Sequence, residues 1–318
     1  MIRSLIILVV IIVFIVADEI FQPYTVKRLQ KRSNALNASA VQRGREVAEH
    51  STVLICCLAR NCADSITHNK DAIETIGRQF KKYKVIVFEN DSSDDTRTVL
   101  KEWRRHNKKV HLIKCKEDPD CNLKVACGYS LGQFSTARIQ KMGEFRERYL
   151  RHVKRKRSDF TMVMDIDLDA SAIPIDGLLY TLGRKEWNAA FINGRVPVPG
   201  TFGLLTVPYD SMAFVPLKRS GSRLPRTLQL FWNYIQLYST YQEENDFVEV
   251  ESAFNGVAIY KSESLENATY LNDGTIICEH NVLNSSVTKK FASCKWITYQ
   301  KRQGDGIILK QIWNTMFN

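Results

Sequence analysis

Between residues 52 and 165, short continuous apolar runs alternate with longer stretches of helical spacing, and this alternation narrows the possible folds more than any single residue does. "TVLICCLA" (52–59), "YKVIVFE" (83–89), "VHLI" (110–113) and "FTMVMD" (160–165) read as strands apolar on both faces. Between them, 66–80, 93–107 and about 134–155 read as amphipathic helices. Strands without polar alternation are those covered on both sides, so the pattern predicts βαβ units on a parallel sheet and an α/β fold class. In such sheets ligands bind outside the carboxyl ends of the strands, where the strand order reverses. Glu89-Asn90-Asp91 and Asp165-Ile166-Asp167 fall at two such ends.

Beyond residue 170 the pattern loosens. Gly and Pro punctuate 194–225, a helix is expected at 226–241, and strands at 188–193, 255–261 and 275–279. No repeat or low-complexity block interrupts the chain. Its 318 residues, 44% of them apolar, suffice for one large core.

Lys and Arg number 45 against 34 Asp and Glu, for a net charge of +11. That balance suits phosphorylated ligands, anionic membranes or nucleic acid, and the sum alone does not choose. The basic run 146–157 has little aromatic interleaving and no nucleic-acid-binding motif, so it reads as a solvated helix face and no nucleic-acid partner is expected.

Ser4–Ala17 carries no charge and follows Arg3. As a helix it spans roughly 21 Å, short against a hydrocarbon core of roughly 30 Å. Residues 1–17 read as a signal anchor or a cleaved signal peptide, with the anchor favoured. Either sends the body into the secretory pathway; an anchor makes a single-pass type II membrane protein of the Golgi or ER, and cleavage makes a secreted one. Residues 18–50 are polar and basic and read as a stem, leaving 51–318 as the body. Sequons at Asn37, Asn267 and Asn284, and eight cysteines that permit disulfides, agree with that address.

In "MVMDIDLD" (162–169) three carboxylates follow a buried strand. Where a chain turns off a strand, such carboxylates can converge on a hard divalent ion that also holds substrate phosphates. The alternative is a solvated acidic turn. "VFENDSSDDT" (87–96) ends a strand in polar residues and opens a helix with Ser and Asp caps, whose free amides attract anions.

These segments in order resemble glycosyltransferases of the GT-A fold, and in detail the capsule-associated, cryptococcal-type alpha-1,3-mannosyltransferase-like group of fungi and large DNA viruses. The resemblance covers about residues 52–283. It rests on "LICCLARNC" (54–62), "VFENDSSDDT", "RIQKMGEFRERYL" (138–150), "MVMDIDLD", "YDSMAF" (209–214), "FNGVAIYK" (254–261) and "CEH" (278–280). Glu147 departs from it, standing where the group has Asn. It implies a single nucleotide-sugar-binding domain, with a Rossmann-like sheet and flanking helices, behind the anchor. The nucleotide-binding half would be about 51–170 and the acceptor half about 171–318. Glu89, Asn90 and Asp91 would meet the base and ribose, with Arg60, Arg146 and Asp165 also at the nucleotide. Asp165, Asp167 and His280 would hold Mn²⁺ or Mg²⁺ against the donor diphosphate. GDP-mannose is the favoured donor, a UDP-sugar the other, and the acceptor a glycan or glycoprotein.

Transfer with inversion needs a carboxylate to take the acceptor proton. Glu251 is the first candidate, with Asp210, Glu249 and Asp246 as rivals. Two other functions compete: a silent glycan- or nucleotide-binding module, and a metal-dependent phosphohydrolase. The second lacks the further His and Asp motifs of a two-metal site.

Overall fold

The computed structural model describes residues 36–114, 136–198, 201–202, 204–217, 235–242, 245–271 and 278–300. The expected signal or anchor segment (1–17), Cys115, Cys121 and Cys127 lie outside them. Among the described residues no helix is long and apolar enough to cross a membrane.

The strands β1 (Thr52–Ala59), β2 (Lys82–Glu89), β3 (Val110–Lys114) and β4 (Phe160–Met164) pair in parallel in the order β3-β2-β1-β4. The chain runs outward from β1 through β2 to β3, then returns to the other side of β1, so the order reverses between β1 and β4. The sheet continues differently from the all-parallel expectation. β9 (Val257–Lys261) pairs antiparallel with β4 and with β5 (Ala189–Pro197), and β10 (Lys290–Tyr299) runs parallel to β5. Then follow β8 (Phe247–Ser252) and β7 (Val215–Pro216), both antiparallel to their neighbours, while β6 (Thr206–Pro208) pairs with β5. The fold is a mixed α/β fold on one central sheet.

Strand alternation splits the apolar runs between two cores. Val53, Ile55 and Cys57 face one side, with Ile66, Ile73 and Ile76 of α2 (Ala63–Gly77) and Leu100 and Trp103 of α3 (Thr96–His106). Leu54 and Cys56 face the other, with Phe145, Leu150 and Val153 of α4 (Thr136–Lys156) and Leu283 of α6 (Glu279–Ser285). Burying each such side chain contributes roughly 1.5–3 kcal/mol. Helix α5 (Ile175–Leu182) joins the first core through Leu178, Leu179 and Leu182.

Three expectations need correction. Residues 38–50 belong to the body: α1 (Ala38–His50) buries Ala40, Gly44 and Ala48. It crosses α5 so closely that a Cβ on Gly44 would stand 1.7 Å from the Leu179 carbonyl oxygen. Small residues at four-residue spacing allow this approach, and the polar outer face of the helix hid it from composition. The expected strand at 275–279 is not found at its described end, because Glu279 opens α6. Asn284 is fully buried and bonded to Tyr260, Ser252 and Ala253, so a folded chain cannot carry a glycan there. Asn267 is exposed, and Asn37 caps α1 by accepting from the Ala40 amide. The described cysteines, Cys56, Cys57, Cys62, Cys278 and Cys294, are unpaired thiols.

Gly44→Val should therefore push α1 off α5. We expect a loss of about 2–3 kcal/mol, the usual cost of overpacking, read as a fall in thermal midpoint of roughly 4–8 °C. An unchanged midpoint would return residues 38–50 to a stem.

Candidate functional site

At the reversal point, a cavity of about 370 Å³ opens beside the end of β4. Its charged lining is Asp165, Asp210 and Glu279 against Arg138 and Arg146, with His280, Tyr209 and Phe254 completing the chemistry.

Arg146 is the centre. It is 4% exposed on the inner face of α4. Its Nε donates to Glu279 Oε1 (3.0 Å), one terminal nitrogen to Tyr149 Oη (3.2 Å) and the other to Asp165 Oδ1 (3.3 Å). The guanidinium also lies 5.4 Å from the Phe254 ring centroid. Burial opposes its charge, but Tyr149, Glu279 and Asp165 more than offset that, and Arg146 stays protonated.

The three carboxylates of "DIDLD" have separate jobs. Asp165 turns into the cavity. Burial pushes its pKa up to about 7; Arg146 pulls it down, while Asp167 and Asp210 push it further up. Asp167 is exposed and within electrostatic reach of Asp165 and Tyr209. Asp169 caps the turn Ala170–Ala172 by accepting from the Ser171 amide (3.0 Å). The turn itself is held by Asn69 of α2, which sequence reasoning passed over. Asn69 is 2% exposed, donates to the Ile166 and Leu168 carbonyls, and accepts from the Ala170 amide. The signal was present: Asn69 occupies a core position in the stripe Ile66, Asn69, Ile73, Ile76. A buried amide on an apolar stripe needs a dedicated partner.

The opposite wall comes from the start of β9. Asn255 (φ 53°) and Gly256 (φ 89°) are both left-handed. The Gly256 carbonyl accepts from the Asp165 amide (3.0 Å), and a Cβ on Gly256 would lie 2.2 Å from Leu168 Cδ1. The Asn255 side chain accepts from the Asp210 amide (3.0 Å), and Asp210 Oδ1 accepts from the Met212 and Ala213 amides. Burial raises the Asp210 pKa, and those two amides draw it back.

His280, in the first turn of α6, stacks on Phe254 with ring centroids 3.7 Å apart. It is 2% exposed, and neither ring nitrogen has a hydrogen-bond partner. Burial, then the Arg146 charge, hold its pKa well below the ordinary histidine range, so the ring is neutral at pH 7. Among the described residues no three His, Cys, Asp or Glu side chains converge on one point, so the protein alone builds no closed metal site. What fits a hard divalent ion is an open donor set: carboxylate oxygens near an orphaned neutral imidazole, where phosphates would complete the shell.

The nucleotide residues expected at β1 and β2 do lie at adjoining strand ends, but Glu89 has another task. It is 1% exposed and uses both oxygens within its own loop, accepting from the Ser92 amide (2.7 Å) and Arg97 Nε (2.9 Å). Asn90 is buried, and its amide donates to the Ala59 carbonyl. Asp91 is half-exposed and also pairs with Arg97. Arg60 is partly buried at the end of β1. Of these, Asp91 and Arg60 keep exposed surface.

Glu251 is corrected as a catalytic candidate. The alternation of β8 turns Val250 and Ser252 inward and Glu249 and Glu251 outward, and Glu251 pairs with Lys290 (3.4 Å) rather than lining the cavity. Asp246 pairs with Arg184. Asp210 is the one of the four candidate bases that lines the cavity. Glu147 is buried and accepts from the Thr269 hydroxyl and the Tyr270 amide, pinning that segment to α4.

Two substitutions should move stability in opposite directions. Asp165 titrates near 7 folded and near 3.9 unfolded, so its stabilisation is fully present below about pH 4 and is lost as pH rises through 7. Asp165→Asn mimics the neutral form, and its thermal midpoint should exceed wild type by roughly 2–4 °C at pH 8, with the gap narrowing as pH falls and closing near pH 4. Asn69→Ala orphans two carbonyls and an amide, and should cost about 2–3 kcal/mol across that range. A thermal melt series from pH 4 to 8 reads both.

No family model and no curated protein matches this chain. Its backbone is similar to those of several solved structures. One is the mannosyltransferase PcManGT from Pyrobaculum calidifontis in complex with GDP-Man and Mn²⁺, at TM-score 0.45 and 13% identity, covering 90% of this chain and 65% of that one. Another is S. aureus TarS 1-349 in complex with UDP, at TM-score 0.45 and 12% identity, covering 82% of this chain and 64% of that one. A third is mannosyl-3-phosphoglycerate synthase from Rubrobacter xylanophilus, at TM-score 0.42 and 14% identity, covering 87% and 75%. This chain thus spans slightly under two thirds of the first two proteins, 65% and 64% of their lengths.

Proposed function

We propose that this chain is a GT-A-type glycosyltransferase whose donor site is the cavity at the end of β4. The observation that carries this reading is the charge imbalance there. Three lining carboxylates, with Asp167 within reach, face two guanidiniums, and burial keeps both Asp165 and Asp210 above their ordinary range. Such a site gains from a divalent cation, and the two arginines beside it suit a diphosphate. Asp165, Asp167 and His280 would hold the ion; bound, it would neutralise the leaving diphosphate. GDP-mannose remains the favoured sugar donor. Arg146 orients Asp165 and supplies fixed positive charge to the phosphate side. Arg60 and Asp91 are the exposed candidates for the nucleoside.

In the reaction the bond between the sugar anomeric carbon and the diphosphate oxygen breaks. A bond from that carbon to an acceptor hydroxyl forms, and the hydroxyl proton leaves. Asp210, with its raised pKa and Oδ1 held by two amides, is the carboxylate placed to accept that proton or to position the acceptor, a glycan or glycoprotein. We propose also that residues 1–17 anchor the chain in a secretory-pathway membrane.

Thermal shift with GDP and UDP, each with and without Mn²⁺, tests the donor site, because a ligand specific to the folded state raises its midpoint. We expect a Mn²⁺-dependent shift with one nucleotide, lost in Asp165→Asn and Asp167→Ala. Sugar transfer from that nucleotide's mannose or N-acetylglucosamine conjugate should follow. Phosphate release without transfer would favour a phosphohydrolase, and binding without turnover a recognition module.

A further inference from the structure

Lys156, near the end of the basic run 146–157 that reads as a solvated helix face, lines a second cavity. Where the C-terminal turn of α4 meets the sheet edge, a cavity of about 260 Å³ is lined by Lys84, Arg104, Lys108, Lys109, His111 and Lys156, with two apolar residues and no carboxylate among its described lining. It lies at the amino ends of β2 and β3, opposite the donor cavity. We propose that this cationic cup binds a phosphate group, carried either on a lipid headgroup or on a small soluble phosphate compound.

Several observations converge. Lysines and arginines in the last turns of α3 and α4 complement the helix dipoles, which explains Arg104 and Lys156. It does not explain Lys84 on β2, Lys108 in the α3–β3 connection, or His111 on β3, each brought to the same cup by a different part of the chain. Lys109 lies over the Tyr83 ring at 4.2 Å, while no carboxylate among the described residues pairs with Lys84, Arg104, Lys108 or Lys156. Gathering unpaired cations is unfavourable unless an anion offsets them. The rings of His111 and His152 are 5.1 Å apart. Burial lowers the pKa of both, and the neighbouring Lys156 lowers both further. Two neutral imidazoles beside lysines and an arginine can gain protons when an anion enters. The volume of the cup suits one phosphate group, and its described lining holds no Phe, Tyr or Trp ring as a base-stacking platform.

The proposal does not rest on the transferase reading. Its test uses the full chain in detergent with EDTA, so that no divalent ion supports diphosphate binding at the donor cavity. Proton NMR follows the ring titrations of His111 and His152 with inorganic phosphate, with dihexanoyl phosphatidic acid, with dihexanoyl phosphatidylcholine, and with a short RNA duplex. We expect phosphate or phosphatidic acid to bind saturably and to raise both ring midpoints by about one unit. The Lys84→Gln/Lys156→Gln variant should bind roughly tenfold more weakly with an unchanged thermal midpoint. Lys108→Gln/Lys156→Gln replaces it if the first variant misfolds. A response to inorganic phosphate would identify a soluble phosphate group as sufficient; a response to phosphatidic acid alone would identify a lipid headgroup. Silence of both rings with every probe, equal binding by the variants, or a response to RNA alone would overturn the assignment.

Discussion

One buried guanidinium ties the candidate site together. Arg146 joins three elements: α4, which carries it; the end of β4, which follows it, through Asp165; and, much farther along the chain, the first turn of α6, through Glu279. None of these groups could be buried alone, because an uncompensated charge away from water is costly. Together they make the assembly of the cavity conditional on one residue. The same interaction explains why His280 remains neutral and unprotonated beside so many carboxylates. Burial and the Arg146 charge both act against an imidazolium. The cavity thus presents acids on one wall and a neutral nitrogen base on another.

The backbone around Asp165 is equally constrained. The chain leaves β4 through a turn that must expose one carboxylate to the cavity while keeping Ile166 and Leu168 in the core. Asn69 meets the polar groups of that turn from beneath, and Gly256 passes above it, its carbonyl accepting from the Asp165 amide. Only a residue without a Cβ fits beside Leu168 with that positive φ. The turn is therefore clamped between a buried amide and a left-handed glycine, and the acidic side chains occupy the side left open.

Much of the first half was legible because its signals are local. Continuous apolar runs marked the four parallel strands, and the rule about strand ends picked out Asp165 as a cavity residue before any contact was known. What escaped was whatever depended on side-chain and strand pairings that no local pattern displays. Glu89 looked like a ligand group because the position of Arg97, which engages it, could not be seen. Glu251 stood before an apolar strand, yet the alternation that turns it outward is set by the pairing of β8 with β10. Helix α1 passed for a stem because its buried face consists of Ala and Gly, which carry little hydrophobic signal, although close approach to α5 requires them. The strand at 255–261 was legible, but its antiparallel insertion as β9 between β4 and β5 was not.

The net charge of +11 acquires meaning only when it is distributed over the sheet. Acidic groups concentrate at the carboxyl ends of the strands and cations at the amino end near β3, with the sheet and its two cores between them. A uniformly basic protein would draw any anion to any face. Here the separation gives the molecule an electrostatic direction. On the proposed readings, a metal-bound diphosphate suits the end where carboxylates need a cation, and a bare phosphate the end where cations need an anion. If the cup holds a membrane headgroup, the donor cavity is turned away from that surface toward soluble donors and acceptors. The length of the sheet then sets the distance between anchoring and chemistry.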